Sequence, residues 1–157
     1  MPDGPRYDDD FYAWTQYQAQ VLRNLRTDDN RFDRERLAEE IEDLGKSERD
    51  TVRSQIRRIL MHLLKLQHSP SSGPRYGWMG SILNARAIID DKLTPTLRRD
   101  IEALLPRLYG KARGEAQLSF REFGGSEAAD ALPRECPYSL DQILQDDWFP
   151  DQTLEQT

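Results

Sequence analysis

Apolar side chains along this chain recur every three or four residues in several long stretches. Short polar stretches rich in proline, glycine or aspartate separate them, which is the pattern of successive amphipathic helices. The longest such stretch runs from Asp33 to Gln67, with Leu37, Ile41, Leu44, Val52, Ile56, Ile59, Leu63 and Leu66 as its apolar positions. Asp33 is placed to cap its N-terminus, and Phe32 and Leu37 flank the cap as a hydrophobic staple. Unbroken, its 35 residues would make a rod of about 50 Å. Glu48 fills the apolar gap between Leu44 and Val52. A stripe through 41, 44, 48 and 52 approaches an 11-residue repeat and predicts a nearly straight seam. Gly45 costs about 1 kcal/mol relative to alanine in a helix, so a break is expected, if anywhere, between Leu44 and Asp50.

The other elements read as shorter partners for this rod. A first helix starts after Asp8, Asp9 and Asp10 and reaches about Leu25, with a stripe of Phe11, Trp14, Val21, Leu22 and Leu25 broken by Gln18. Phe11, Tyr12, Trp14 and Tyr17 at helical spacing read as core rather than as a ligand pocket. The segment 68–77 is a linker, and a third helix follows through Trp78, Ile82, Ala85, Ile89 and Leu93. Thr94-Pro95 opens a fourth helix, which continues through Leu97, Ile101, Leu104, Leu105 and Leu108 to Phe120, kinks at Pro106 and ends at Gly124-Gly125. Ser139 and Gln142 have the spacing of a capping box for a short last helix, and Trp148 and Phe149 beyond it are too apolar to leave in water. The fold class is therefore all-α: a bundle of four main helices, the second and fourth long, plus a short C-terminal helix. One domain spans 1–157, with a loose tail over 1–7 and residues 126–157 folded back on the bundle.

Composition narrows the function classes. The chain is 37% hydrophobic and 32% charged, with 22 basic and 28 acidic residues for a net charge of −6. That balance disfavours wholesale nucleic-acid binding, although a local basic patch remains open. The one cysteine, Cys136, permits no internal disulfide and no cysteine metal cluster, and it fits a cytoplasmic protein. The acidic N-terminus is unlike a targeting peptide, and no apolar run reaches membrane-spanning length.

The segments DFYAWTQYQAQVLR, LAEEIEDLGKSER, HLLKL, a tryptophan-led helix and ECPYSL occur in that order. In this the chain resembles the bacterial family known as domain of unknown function 29. The likeness runs from about Tyr7 to Pro150, through Asp10, Phe11, Trp14, Glu39, Glu40, Ile41, His62, Leu63, Leu64, Lys65, Trp78, Cys136, Pro137 and Tyr138. It implies an all-helical bacterial protein and assigns no catalytic residue.

Three groupings could carry chemistry. Glu35, Glu39, Glu40, Glu42 and Asp43 form an acidic cluster. Neither histidine stands three residues after a glutamate, which disfavours a carboxylate-bridged di-metal site. The reading there is no metal and no cofactor, with Glu40 held open as a partly buried partner of an arginine. Lys46, Arg49, Arg53 and Arg57 lie along one helical face as a basic ridge, read as solvated or salt-bridged. Arg57 and His62 have the R-x-x-x-x-H spacing similar to the active-site motif of HEPN-type ribonucleases, with histidine as acid or base and arginine as the charge stabiliser. Residues five apart nevertheless point about 140° from each other on one helix. The structural alternative for His62 is a partly buried histidine beside Trp78 or Tyr76, hydrogen-bonded to backbone, with Lys65 snorkelling at the core edge. Cys136 lacks an evident base and reads as a bystander.

The best-fitting function is a non-enzymatic module acting through a protein partner. Its binding-surface candidates are Glu39, Glu40, Arg49, Arg53, Arg57, His62, Lys65 and Trp78, and a second copy along the long helix is one way to cover that helix's excess length. The alternative is a HEPN-like, metal-independent ribonuclease using Arg57 and His62. A binding module should leave an apolar stretch or the arginine ridge exposed on the long helix. An enzyme should hold His62 in a concave pocket.

Overall fold

The computed structural model describes residues 3–71 and 73–152. Six helices form among them: α1 (Phe11–Asn24), α2 (Arg34–His68), α3 (Arg75–Lys92), α4 (Pro95–Glu122), α5 (Ser126–Ala131) and α6 (Leu140–Leu144). The fold is all-α, with α1, α3 and α4 packed around α2.

α2 is continuous through Gly45. Asp33 caps it through a hydrogen bond from the Arg36 N–H. Its buried residues include Ala38, Gly45, Val52, Ile59 and Leu66, every seventh position. This corrects the expected stripe, because Leu44 is exposed and Gly45 takes the inward place. A seven-residue seam belongs to left-handed packing rather than to a straight rod. Thr15 and Ala19 are the buried residues of α1. A Cβ on Gly45 would lie 2.0 Å from Thr15 Oγ1 and 2.7 Å from Gln16 Nε2. The two helices thus touch through small residues, and glycine is the condition for that approach. For the same reason Val21 and Leu25, expected in the α1 stripe, stay over 40% exposed.

The C-terminal half of α2 is the centre of the core. Ile56, Ile59, Leu60, Leu63 and Leu64 are fully buried, against Ile82, Ala85 and Ile89 of α3 and Leu97, Ile101, Tyr109 and Ala112 of α4. α3 begins at Arg75 rather than after Gly77. α4 opens with Thr94 accepting from the Leu97 N–H at 3.2 Å and runs as one helix through the exposed Pro106. It closes in a Schellman turn. Gly124 has φ +81, the Gly125 N–H donates to the Phe120 carbonyl and the Gly124 N–H to that of Arg121.

Asp10 joins two helix starts. One carboxylate oxygen accepts from the Ala13 N–H at 3.0 Å and the other from the Thr96 N–H at 2.9 Å. Burial alone would raise its pKa, but the hydrogen bonds from Thr96 and Ala13 outweigh it and hold the carboxyl below its ordinary value. Part of the segment expected to be a loose tail is in contact. Tyr7 packs edge-on to Phe11 and Trp14 at centroid distances of 5.1 and 4.9 Å. Met1 and Pro2 lie outside the described residues.

At the other end, the capping box of Ser139 and Gln142 is formed, and Tyr138 donates to Gln67 Oε1 at 2.7 Å. The segment after α6 is held by a residue absent from the sequence-based core. Arg86 is only 2% exposed, and its guanidinium donates to the carbonyls of Gln142, Ile143, Asp146 and Trp148 at 2.8–3.2 Å. Phe149 lies 5.2 Å from it, ring centroid to Cζ. The fork satisfies the free carbonyls at the end of α6, where the helix dipole is negative.

Candidate functional site

α2 carries most of the candidate residues, and its neighbours decide what each can do. In the acidic first third, Glu39 and Glu40 are exposed, and Glu39 pairs with Arg36 at 3.4 Å. The carboxylate partly buried with an arginine is Glu42, not Glu40. It accepts from Lys46 at 2.7 Å and Arg23 at 2.6 Å, and those bonds hold its pKa down at about 2. Among the described residues, no three His, Cys, Asp or Glu side chains come together as metal ligands.

Half of the basic ridge is tied to α4 and half to carboxylates of α2 itself. Arg53 makes a two-pronged bond to Asp100 at 2.6 and 2.8 Å, and Arg57 reaches Glu115 at 3.1 Å. Arg49 pairs with its neighbour Asp50 at 3.1 Å. Arg107 and Lys111 of α4 complete a cleft of ≈ 310 Å³ with Arg53 and Arg57. The i, i+4 spacing of Arg107 and Lys111 is the sequence signal that could have found that wall.

Arg57 and His62 are not brought together. Arg57 faces α4 through Glu115, while Nδ1 of His62 is buried without a hydrogen-bond partner. Burial first, then Lys65 and Arg58, lowers the His62 pKa to about 4, so the imidazole is neutral at pH 7. Among the described residues the expected backbone bond to His62 Nδ1 does not form, and the cleft holding Arg57 does not include His62. The Cys136 thiol donates to the Tyr138 carbonyl at 3.3 Å, and burial raises its pKa. It is a poor nucleophile.

Two surface features remain. Lys65 lies over the Trp78 ring at 6.0 Å and borders a groove of ≈ 550 Å³ with Pro70, Pro74, Phe120 and Phe123. The second is the arm formed by α1 and the first half of α2. Its helices are antiparallel: Gln16 bonds the Glu42 carbonyl, while Arg34 bonds that of Leu25. On it Val21, Leu25, Leu37 and Leu44 are 42%, 43%, 41% and 52% exposed. Counting about 100° per residue from the contact line of Thr15, Ala19, Ala38 and Gly45 places all four on the same flank. α3 lies along that flank of α2 and ends at Lys92, whose ammonium meets Glu48 at 3.0 Å, and Leu37 and Leu44 beyond it stay exposed among the described residues. No described helix is long and apolar enough to cross a membrane.

The family described as domain of unknown function DUF29 matches residues 6–149. A crystal structure of an alpha-helical protein of unknown function from Rhodospirillum rubrum is similar over 92% of each chain, with TM-score 0.77 and 25% identity. No curated protein matches the chain.

Proposed function

The chain belongs to the DUF29 family, and within it we propose a non-enzymatic interaction module whose contact face is the uncovered flank of the α1/α2 arm. The observation that carries this reading is the exposure of Leu37 and Leu44, seven residues apart on α2, beside Val21 and Leu25 of α1. Apolar patches of this kind mark interaction surfaces. The occupant we assign is a second copy of the chain. Two arms placed antiparallel about a two-fold axis set Leu37 of one copy against Leu44 of the other and repeat the contact, as an isologous interface requires. The second copy then takes, along the first half of α2, the flank that α3 takes along the second half. His62, neutral and outside the cleft that holds Arg57, supports this reading over the ribonuclease.

Sedimentation velocity over a concentration series tests it. The protein is expected to sediment at twice the protomer mass, and Leu44→Glu at the protomer mass with unchanged helical circular dichroism. A monomeric wild-type protein at high concentration would remove the reading.

A further inference from the structure

At the opposite end of α2 from the arm, we propose that the groove beside Lys65 binds a small amphipathic carboxylate, an apolar chain or ring bearing a single anionic group. The walls are largely apolar. Trp78, Phe120 and Phe123 supply rings, Pro70 and Pro74 supply fixed backbone, and the volume is ≈ 550 Å³, within the range of small-ligand sites. Phe123, 83% exposed, forms the open edge of the groove.

The polar groups select the ligand's charge. Lys65 is the one cation of the lining. Its ammonium sits over Trp78 at 6.0 Å, and it forms no ion pair among the described residues, since Glu115 is taken by Arg57. Burial pulls the Lys65 pKa below its ordinary value, with Glu115 partly opposing. A half-buried ammonium with no carboxylate in direct contact gains most from a single carboxylate arriving with its own apolar body. Ser69 adds a second, independent indication. It is 8% exposed, its Oγ accepts from the Ser71 N–H at 3.2 Å, and its own hydroxyl proton has no acceptor among the described residues. That hydroxyl is a ready donor for the second carboxylate oxygen. One cation, with the hydroxyls of Ser69, Ser71 and Ser119 as neutral donors, suits a monoanion. A phosphodiester backbone or a dianionic phosphate would call for the arginine forks that this groove lacks.

Octanoate and 1-octanol, titrated by calorimetry and by the NMR shift of the Trp78 indole, form the test. Octanoate is expected to bind one per chain with saturation and to shift Trp78. Lys65→Met keeps the stem and removes the charge, and should weaken octanoate about tenfold while leaving octanol nearly unchanged. Phe123→Ser removes an exposed ring and should weaken both ligands without loss of helical signal. Lys65→Gln serves in place of Lys65→Met should the latter fold poorly. Absence of saturable octanoate binding would overturn the assignment, as would equal octanoate affinity in the Lys65 variant or a shift confined to Trp14 or Trp148.

Discussion

Replacing a glycine by alanine inside a helix ordinarily stabilises a protein by up to about 1 kcal/mol. At Gly45 the sign should reverse. The new methyl would sit 2.0 Å from Thr15 Oγ1 and 3.0 Å from Thr15 Cβ, far inside van der Waals contact. Thr15 has little freedom to move aside, because it is fully buried and its hydroxyl donates to the Tyr12 carbonyl at 2.6 Å. The Gln16 amide 2.7 Å away is the end of a longer side chain and can shift more cheaply. Overpacking of this kind costs about 1–3 kcal/mol, and more when the neighbour cannot relax. After the propensity gain, a net loss of about 2 kcal/mol is expected. For a chain of this size that is a fall in Tm of about 4–8 °C. Gly110→Ala and Gly114→Ala are internal controls: both lie inside α4 with nothing within 4 Å of a new Cβ, and each should raise stability by about 0.5–1 kcal/mol. Urea unfolding followed by circular dichroism reads all three. Adding Thr15→Ala to Gly45→Ala should recover part of the loss, although Thr15→Ala alone is destabilising, which is the signature of a direct clash. A Gly45→Ala protein as stable as the two controls would refute the close α1–α2 contact.

The buried Arg86 fork gives the second prediction: Arg86→Met leaves four carbonyls without their donor and should cost about 3–5 kcal/mol, with amide exchange rising first after Gln142. Asp10→Ala removes caps from two helices at once and should cost about 2 kcal/mol, more than the single cap lost in Asp33→Ala, both read by thermal unfolding. Acid sensitivity should come in two stages. The His62 pKa is depressed in the folded state from 6.5 to about 4, so the unfolded chain takes up its proton first and stability falls as pH drops from about 6.5 towards 4. Glu42, depressed from 4.5 to about 2, contributes stability above its unfolded value that is lost as pH falls below about 4.5. Burial lowers the His68 pKa from the same ordinary value, so His62→Gln should shrink the upper stage without abolishing it, and leave the lower stage unchanged, in unfolding free energy measured against pH.

The four main helices and α6 were legible in the sequence from periodicity, most of them with a capping residue as well, whereas α5, six residues without a side-chain cap, was not. The capping residues Asp33, Thr94 and Ser139 and the stop at Gly124 all act where periodicity places them. The inward face of α1 was not legible. Hydrophobicity nominates Val21 and Leu25, whereas close packing selects Thr15, Ala19 and Gly45, and small size gives no periodic signal. Gly45 therefore read as a weakness when it is a contact. Arg86 escaped for a related reason: an arginine in an apolar stripe looks like an outward residue until the carbonyls it serves, some 60 positions later, are brought to it. The pairing of Arg53 and Arg57 with α4 likewise depends on tertiary distance, which spacing along one helix cannot reveal. The exposure of Leu37 and Leu44 was hidden by the same rule that made them look like core.

Cysteine trapping at the arm tests the interaction module most directly. In a Cys136→Ser background, Leu37→Cys and Leu44→Cys proteins are mixed and oxidised. An antiparallel two-fold contact brings position 37 of one copy against position 44 of the other, so the mixture should yield a disulfide-linked dimer in high yield. Each variant alone should not, because its own two cysteines would lie about 10 Å apart along the axis, beyond disulfide reach. A mixture that stays unlinked, or links no better than either variant alone, would contradict the arm as the self-association face.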